Sequence, residues 1–349
     1  MPSLFDPIQI GDLKLSSRIL MAPLTRCRAI DRRIPNELMA EYYAQRASAG
    51  LIFSEATSIS SMGVGYPDTP GIWSKEQVDG WKNITSAVHL KGGKMLLQLW
   101  HVGRISDPVY LNGAIPVAPS AVRPAGHVNL IRPKKEFVTP RALEIPEILG
   151  IIEEYRQGAV NAMEAGFDAV EIHGANGYLL DQFLQDSTNK RSDGYGGPIR
   201  NRARLLLKVV DTVISVWGNG KVGVHLAPRG DSNSMGDSNP RLTFGYVAQE
   251  LGKRKIAFIC ARESLGPDRL GPQLKKIFGG VYIANEGFTK ETAQAALDAG
   301  ESDAFAFGKQ FLANPDLPRR FAQNAPLNTP DPNTFYGSGK EGYTDYPAL

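Results

Sequence analysis

The chain alternates between two hydrophobic patterns. Segments with apolar residues at helical spacing end near a glycine, and a short, nearly continuous apolar run follows. This junction recurs seven times. Gly50 precedes LIFSEA, Gly93 precedes KMLLQLW, Gly166 precedes FDAVEIH and Gly220 precedes KVGVHLA; Gly252 leads to IAFICA, Gly280 precedes VYIAN and Gly300 leads to DAFAFG. Each glycine can take the left-handed conformation that closes a helix, and runs so uniformly apolar suit strands covered on both faces. With the earlier run Arg18 to Pro23 the strands number eight. Eight strands interleaved with helices predict an α/β fold, a closed parallel (β/α)8 TIM barrel.

Other segments fit around this frame. Asn36 to Ser48 predicts a first helix with Leu38, Met39, Tyr42 and Tyr43 on one face. The eighth helix is expected to open with Asn314 as cap, Pro315 at its first position and Asp316 in its first turn. Pro7 to Leu15 alternates around Gly11-Asp12 and predicts a hairpin that plugs the bottom of the barrel. A long Pro-, Gly- and Arg-rich excursion after the third strand, about 103–146, is expected to form a lid or rim over the active site. The Pro/Gly/Tyr-rich coil 326–349 is expected to pack on the same rim. The 349 residues exceed the ~250 of a plain barrel but stay within its range, so 1–349 is read as a single domain.

Composition narrows the class. Hydrophobic residues make up 42% and charged residues 21%, enough for a buried core and against general disorder. The net charge of +3 is mild, and Lys and Arg form only short runs such as Arg32–Arg33, Lys134–Lys135 and Arg319–Arg320. No stripe tracks a phosphodiester backbone, so no nucleic acid is expected as a partner. The two cysteines, Cys27 and Cys260, are far apart and read as strand ends, not as a disulfide framework. The start, Met1 to Leu15, lacks an export leader, and no stretch approaches the ~18 apolar residues of a membrane span. A cytoplasmic protein without membrane contact is expected, as a monomer or small homo-oligomer.

Working residues of such barrels lie at the carboxyl ends of strands. Those ends supply Pro23, Leu24 and Thr25; Glu55 and Ala56; Gln98, Trp100 and His101; His173, Asn176 and Tyr178; His225 and Arg229; Asn285, Glu286 and Gly287; Gly308 and Lys309. The set is polar and aromatic with few carboxylates. From LFDPIQIGDLKLSSRILMAPLTRCRA through LLQLWHVGR and EIHGANGYLLDQFLQDSTNKRSDGYGG to FYGSGKEGYTDYPAL, the chain resembles the Old Yellow Enzyme family of FMN-containing ene-reductases. It is most similar to the bacterial branch of nitrate-ester, xenobiotic and N-ethylmaleimide reductases.

The resemblance implies FMN as cofactor and NADPH or NADH as reductant. It places His173 and Asn176 on the substrate's carbonyl or nitro oxygen and makes Tyr178 the proton donor. A phenol with an unperturbed pKa of ~10 is protonated at neutral pH. Two donors converging on one oxygen can stabilise the charge that builds there. For the flavin, the resemblance implies Pro23, Leu24, Thr25 and Ala56 against the ring and Gln98 at its pyrimidine edge. Asn285 adds to the cofactor site, and Gly287, Gly308 and Lys309 serve the phosphate. Tyr66, Trp100 and Tyr336 match positions that line the substrate cleft and suit flat electrophiles.

Two departures from the family bear on how the flavin is held. His225 stands where arginine usually faces the flavin N1 and C2 carbonyl, with Arg229 four residues on; either a protonated His225 or a reaching Arg229 supplies the donor. Lys309 replaces an arginine fork with a point charge. Pro198 and Arg200 also replace the usual Ser and Glu, so the fourth helix is expected to start differently. No Gly-x-Gly-x-x-Gly follows a predicted strand, so the nicotinamide dinucleotide is expected to share the electrophile's cleft in ping-pong turnover. Two alternatives remain at this stage: a non-enzymatic flavin-binding protein, and a metal-dependent barrel hydrolase built on His101, His173 and His225.

Overall fold

A computed structural model describes residues 2–349 of the chain. Eight parallel strands form its centre: Ile19–Met21, Ile52–Phe53, Met95–Trp100, Ala169–Gly174, Val222–Leu226, Phe258–Arg262, Val281–Asn285 and Ala304–Phe307. Each pairs with the next in chain order, and Ala304–Phe307 pairs with Ile19–Met21, so the sheet closes into the expected (β/α)8 barrel. Side chains alternate across each strand. One set, including Leu20, Phe53, Leu96, Ala169, Phe258 and Ile283, fills the barrel. The other, including Ile19, Leu97, Val170, Ile172, Val224 and Ile259, packs against the helices. Gly223 makes room for this filling, because a Cβ there would lie 2.0 Å from the Phe258 ring.

The hairpin pairs Ile8–Ile10 with Leu13–Leu15 and turns at Gly11, whose φ is 54°. Its Ile10, Leu13 and Leu15 join the barrel-filling cluster, and the Asp12 amide donates to the Gly220 carbonyl at 2.8 Å. It therefore seals the amino end of the barrel and leaves the carboxyl end open.

Several local expectations change. Of the seven junction glycines, only Gly166 and Gly300 have positive φ, 82° and 69°. Elsewhere another residue takes the left-handed turn: Gly92, Gly218, Lys255 or Gly279. Gly50 and Gly220 serve close approach instead, since a Cβ would lie 2.3 Å from the Ser17 carbonyl oxygen and 2.4 Å from the Asp12 carboxylate. The run LIFSEA is not one strand. Ile52–Phe53 pairs with Met95 and Leu96, then Thr57–Ser58 pairs with Leu99 and Trp100, so one extra residue bulges between them, at Ser54 to Ala56. Bulges of this kind re-aim side chains next to active sites.

The first helix spans Glu37–Gln45, capped by the Asn36 side chain, which accepts from the Met39 amide. Asn314 does not open the eighth helix. It ends the short helix Lys309–Ala313, its side chain accepts from the Asn328 amide, and the next helix, Leu317–Gln323, starts from Asp316. Pro198 starts a four-residue turn, Ile199–Arg202, before the helix Arg204–Trp217. Cys260 lies inside its strand and not at an end. Among the described residues no helix is long and apolar enough to cross a membrane.

The coil after Pro326 is tied down by arginines. Arg26 donates to the carbonyls of Phe335 and Gly342, Arg28 to those of Thr334, Gly339 and Glu341, and Arg46 to that of Tyr343. Tyr343 stacks on Tyr42 at 4.0 Å between ring centroids. No residue of the excursion 103–146 lines the cavity at the open end. Its Val128 and Phe137 pack with Trp100, Tyr66 and Tyr178, supporting these aromatics from behind.

Candidate active site

The open end of the barrel holds a cavity of about 690 Å³. Its walls include Pro23, Leu24, Thr25, Ala56, Gln98, Trp100, His173, Asn176, Tyr178, His225, Asn285, Gly287, Gly308, Lys309 and Tyr336. Two-residue periodicity explains how the strands deliver them: from the barrel-filling positions Leu96, Ala169 and Phe258, steps of two lead to Gln98 and Trp100, Glu171 and His173, Cys260 and Arg262. Tyr66 is not part of the lining; its hydroxyl meets that of Tyr178 at 2.7 Å. His101 is also outside, with Nδ1 accepting from the Gly103 amide.

The fourth strand runs into a tight turn. Asn176 and Gly177 both take positive φ, 57° and 78°, which Asn and Gly tolerate better than other residues. The Gly177 amide donates to the buried Asp181 carboxylate at 2.8 Å, and the Asn233 side chain donates to the Asn176 carbonyl. This turn fixes two donors. His173 Nδ1 accepts from the Ala175 amide at 3.3 Å, so the neutral ring carries its proton on Nε2. Burial, with neighbouring His225 and Arg262, holds His173 well below the usual histidine range. Asn176 Oδ1 accepts from Arg262 Nη1 at 3.2 Å, leaving the Nδ2 protons for the cavity. Tyr178 stands edge-on to both Trp100 and His173, and burial pushes its phenol up to about 12.

A polar layer lies one step deeper. Gln98 Nε2 donates to Glu171 Oε2 at 2.7 Å, and His225 Nδ1 meets Glu171 Oε1 at 3.2 Å. His225 Nε2 is buried without a partner. Arg229 is committed elsewhere, to Glu263, Asp268 and the Ser264 carbonyl, and lines no part of the cavity. Of the two candidates for the fifth-strand donor, His225 is therefore the one in place. Glu171, His225 and Cys260 are the one group of possible metal ligands among the described residues, with ligand atoms within 4.8 Å; the three histidines of the hydrolase alternative do not form one.

Among the residues that sequence reasoning passed over here are Glu171, Arg262, Arg26, Phe335 and Gln310, of which the last four line the cavity. Glu171 is two residues before His173, and Arg262 two after Cys260, so strand alternation was signal enough for both. Arg262 donates to Glu286 Oε1 at 2.9 Å as well as to Asn176. Glu286 has φ 85°, an uncommon backbone state for such a residue, of the kind that collects around ligand sites.

A barrel whose open end gathers the donors His173 Nε2 and Asn176 Nδ2, the Tyr178 phenol and a wall with Gly287 and Gly308 has the make-up of the flavin-dependent barrel oxidoreductases. Residues 3–328 match the NADH:flavin oxidoreductase / NADH oxidase family, and the chain belongs to that family, the Old Yellow Enzymes. It is 42% identical to 12-oxophytodienoate reductase 2 of Arabidopsis thaliana, over 99% of this chain and 96% of that one. It is 41% identical to flavin oxidoreductase hxnT of Emericella nidulans, over 99% and 97%. Among solved structures, the Old Yellow Enzyme homologue from Zymomonas mobilis superposes with a TM-score of 0.97 at 48% identity and full coverage of both chains. Morphinone reductase in complex with tetrahydroNAD gives 0.97 and 48%, covering 100% of this chain and 98% of that one. Both the storage-protein and the hydrolase alternatives are thereby set aside in favour of an FMN-dependent oxidoreductase.

The residues present suit FMN. His225 Nε2 and Gln310 Oε1 are buried polar atoms without protein partners, and both residues line the cavity. After the seventh and eighth strands, Gly287 and Gly308 keep the wall free of side chains. Gly308 starts the helix Lys309–Ala313 without a side-chain cap, and first-turn amides have no intrahelical acceptor. Barrels commonly bind phosphate at this place.

Proposed function

We propose that this enzyme uses a nicotinamide dinucleotide to reduce activated alkenes, such as α,β-unsaturated carbonyls and maleimides, and also nitrate esters. The observation that carries the reading is the pair of fixed donors, His173 Nε2 and Asn176 Nδ2, set beside a protonated Tyr178. His173 and Asn176 bind the substrate oxygen and stabilise the charge that develops on it, a contribution of ~2.7–4 kcal/mol per donor in a well-studied case. Tyr178 gives its proton to the alkene carbon next to the activating group. Trp100 and Tyr336 hold a flat substrate in place. Pro23, Leu24, Thr25, Ala56, Gln98, His225 and Asn285 hold the FMN ring; Gly287, Gly308 and Lys309 hold its phosphate. Bound FMN supplies two-electron hydride chemistry.

Nicotinamide and electrophile take turns in this cleft. The enzyme works in the cytosol, a placement that the free, buried thiols Cys27 and Cys260 fit, and it does so as a monomer or small homo-oligomer. Anaerobic stopped-flow tests the reading: NADH or NADPH should bleach the flavin absorbance, and enones, maleimides or nitrate esters should restore it. Initial-rate lines should run parallel. Purification without FMN, or intersecting lines, would contradict the reading.

A further inference from the structure

Tyr66 lies outside the cavity lining, yet its hydroxyl oxygen is 2.7 Å from that of Tyr178. Its ring packs beside Trp100, 5.5 Å between centroids, and its backbone carbonyl accepts from Arg33 at 3.0 Å. Both the ring and the main chain are therefore fixed, and the hydroxyl contact is a built one. We propose that Tyr66 is a positioning residue for proton delivery, donating its hydroxyl hydrogen to the Tyr178 oxygen as Tyr178 releases its own proton to substrate.

The proton balance defines the role. When Tyr178 acts, its O–H bond breaks, a C–H bond forms on the substrate carbon, and a negative charge is left on the Tyr178 oxygen. That oxygen is restored by a proton from solvent before the next turnover. In the interval the charge sits beside the Trp100 and His173 rings. Trp100 presents an edge to the Tyr178 ring, and His173 is engaged toward the cavity. Tyr66 meets the Tyr178 hydroxyl directly at 2.7 Å, with the Asn233 side chain as a second polar neighbour. Burial raises Tyr66 well above the ordinary phenol range, so it remains a donor throughout. The resting contact also orients the Tyr178 hydroxyl: while Tyr66 donates to it, the Tyr178 hydrogen points elsewhere and is available to substrate.

The inference rests on Tyr178 being the proton donor, and the test separates the two. Tyr66→Phe, Tyr178→Phe and the double variant are prepared as FMN-loaded enzymes, with flavin content as the check on folding. Reoxidation is followed with 2-cyclohexen-1-one, which needs a proton on carbon, and with menadione, which is protonated only on oxygen. Tyr66→Phe should slow cyclohexenone about tenfold, the loss of one hydrogen bond to a charged oxygen, and leave menadione and nicotinamide oxidation unchanged. In the Tyr178→Phe background it should slow cyclohexenone no further, since there is no proton left to deliver. Unchanged rates in Tyr66→Phe, equal slowing with both acceptors, or full additivity with Tyr178→Phe would each overturn the proposal. If Tyr178→Phe alone leaves cyclohexenone reduction intact, the proton-donor reading falls and this role falls with it.

Discussion

Arg262 offers a sharp test of how the site fixes its donors. Its guanidinium bridges Asn176 Oδ1 at 3.2 Å and Glu286 Oε1 at 2.9 Å. Replacing it by methionine keeps most of the stem and removes both donors. A hydrogen bond to a charged donor contributes ~1.5–3 kcal/mol when buried, and an exposed pair ~0–1. The Arg262 side chain is 38% exposed, which puts the bond near the boundary of these ranges, at ~1.4 kcal/mol, or a tenfold bias in favour of the amide orientation seen. Without it the amide can turn and present Oδ1 to the substrate oxygen, where two acceptors repel. An unbiased amide is wrongly turned half of the time, so reoxidation by cyclohexenone should slow at least twofold. A preference for the turned state as large as the present bias would raise the loss to about tenfold. Asn176→Ala, which removes the donor outright, should lose ~10²–10³-fold. Stopped-flow reoxidation at saturating enone measures both. A wild-type rate in Arg262→Met, alongside a crippled Asn176→Ala, would refute the idea that Arg262 sets the amide.

Three further outcomes are expected. Neither Tyr178, which keeps its proton up to about 12, nor His173, neutral above its lowered range, should give enone reoxidation a midpoint across about pH 6 to 9; a midpoint in that window that persists in Asp181→Asn, whose carboxyl holds the Gly177 amide and is raised to about 7, would contradict both assignments. His225→Leu should retain FMN about tenfold less tightly, read from flavin fluorescence during dialysis, whereas undiminished retention would remove His225 from the cofactor site. Stability should fall as pH rises from about 5 to 8. Burial raises Glu55 from 4.5, and Asp181 from 3.8, to about 7, so in that window the folded chain holds protons that the unfolded chain has released. Tm at pH 5.5 should exceed Tm at pH 8 by roughly 2–5 °C, and the gap should shrink in Glu55→Gln and Asp181→Asn; an equal or reversed Tm would contradict the burial assigned to these carboxyls.

The barrel was legible because its signal is repeated and local. Eight apolar runs, seven of them after a helical segment, leave few other architectures, and alternation within each run tells which side chains enter the barrel. Details that depend on distant segments were not legible. The break in LIFSEA arises where the bulge holds Glu55 against the Arg26 amide and the Tyr43 hydroxyl, partners far from it in sequence. Asn314 reads as a helix cap by its neighbours alone, but the tail residue Asn328 claims its side chain. Arg229 looked able to reach the cavity until Glu263 and Asp268, from the next unit, tied it outward. The excursion 103–146 was assigned by length; its apolar residues instead back the aromatic wall.

The arginine clamp on the carboxyl-terminal coil has a consequence for the order in which the site comes into being. Phe335 and Tyr336 complete one wall of the cavity, and the groups that fasten their segment, Arg26 and Arg28, belong to the loop after the first strand. The barrel frame can close once Ala304–Phe307 finds Ile19–Met21. The cleft gains this wall only after a further stretch of chain has been made and has returned to the loop that follows the first strand. A chain cut before Phe335 would thus keep a closed barrel but present a wider, less selective mouth, so the selectivity of the cleft is decided by a segment that the barrel itself can do without.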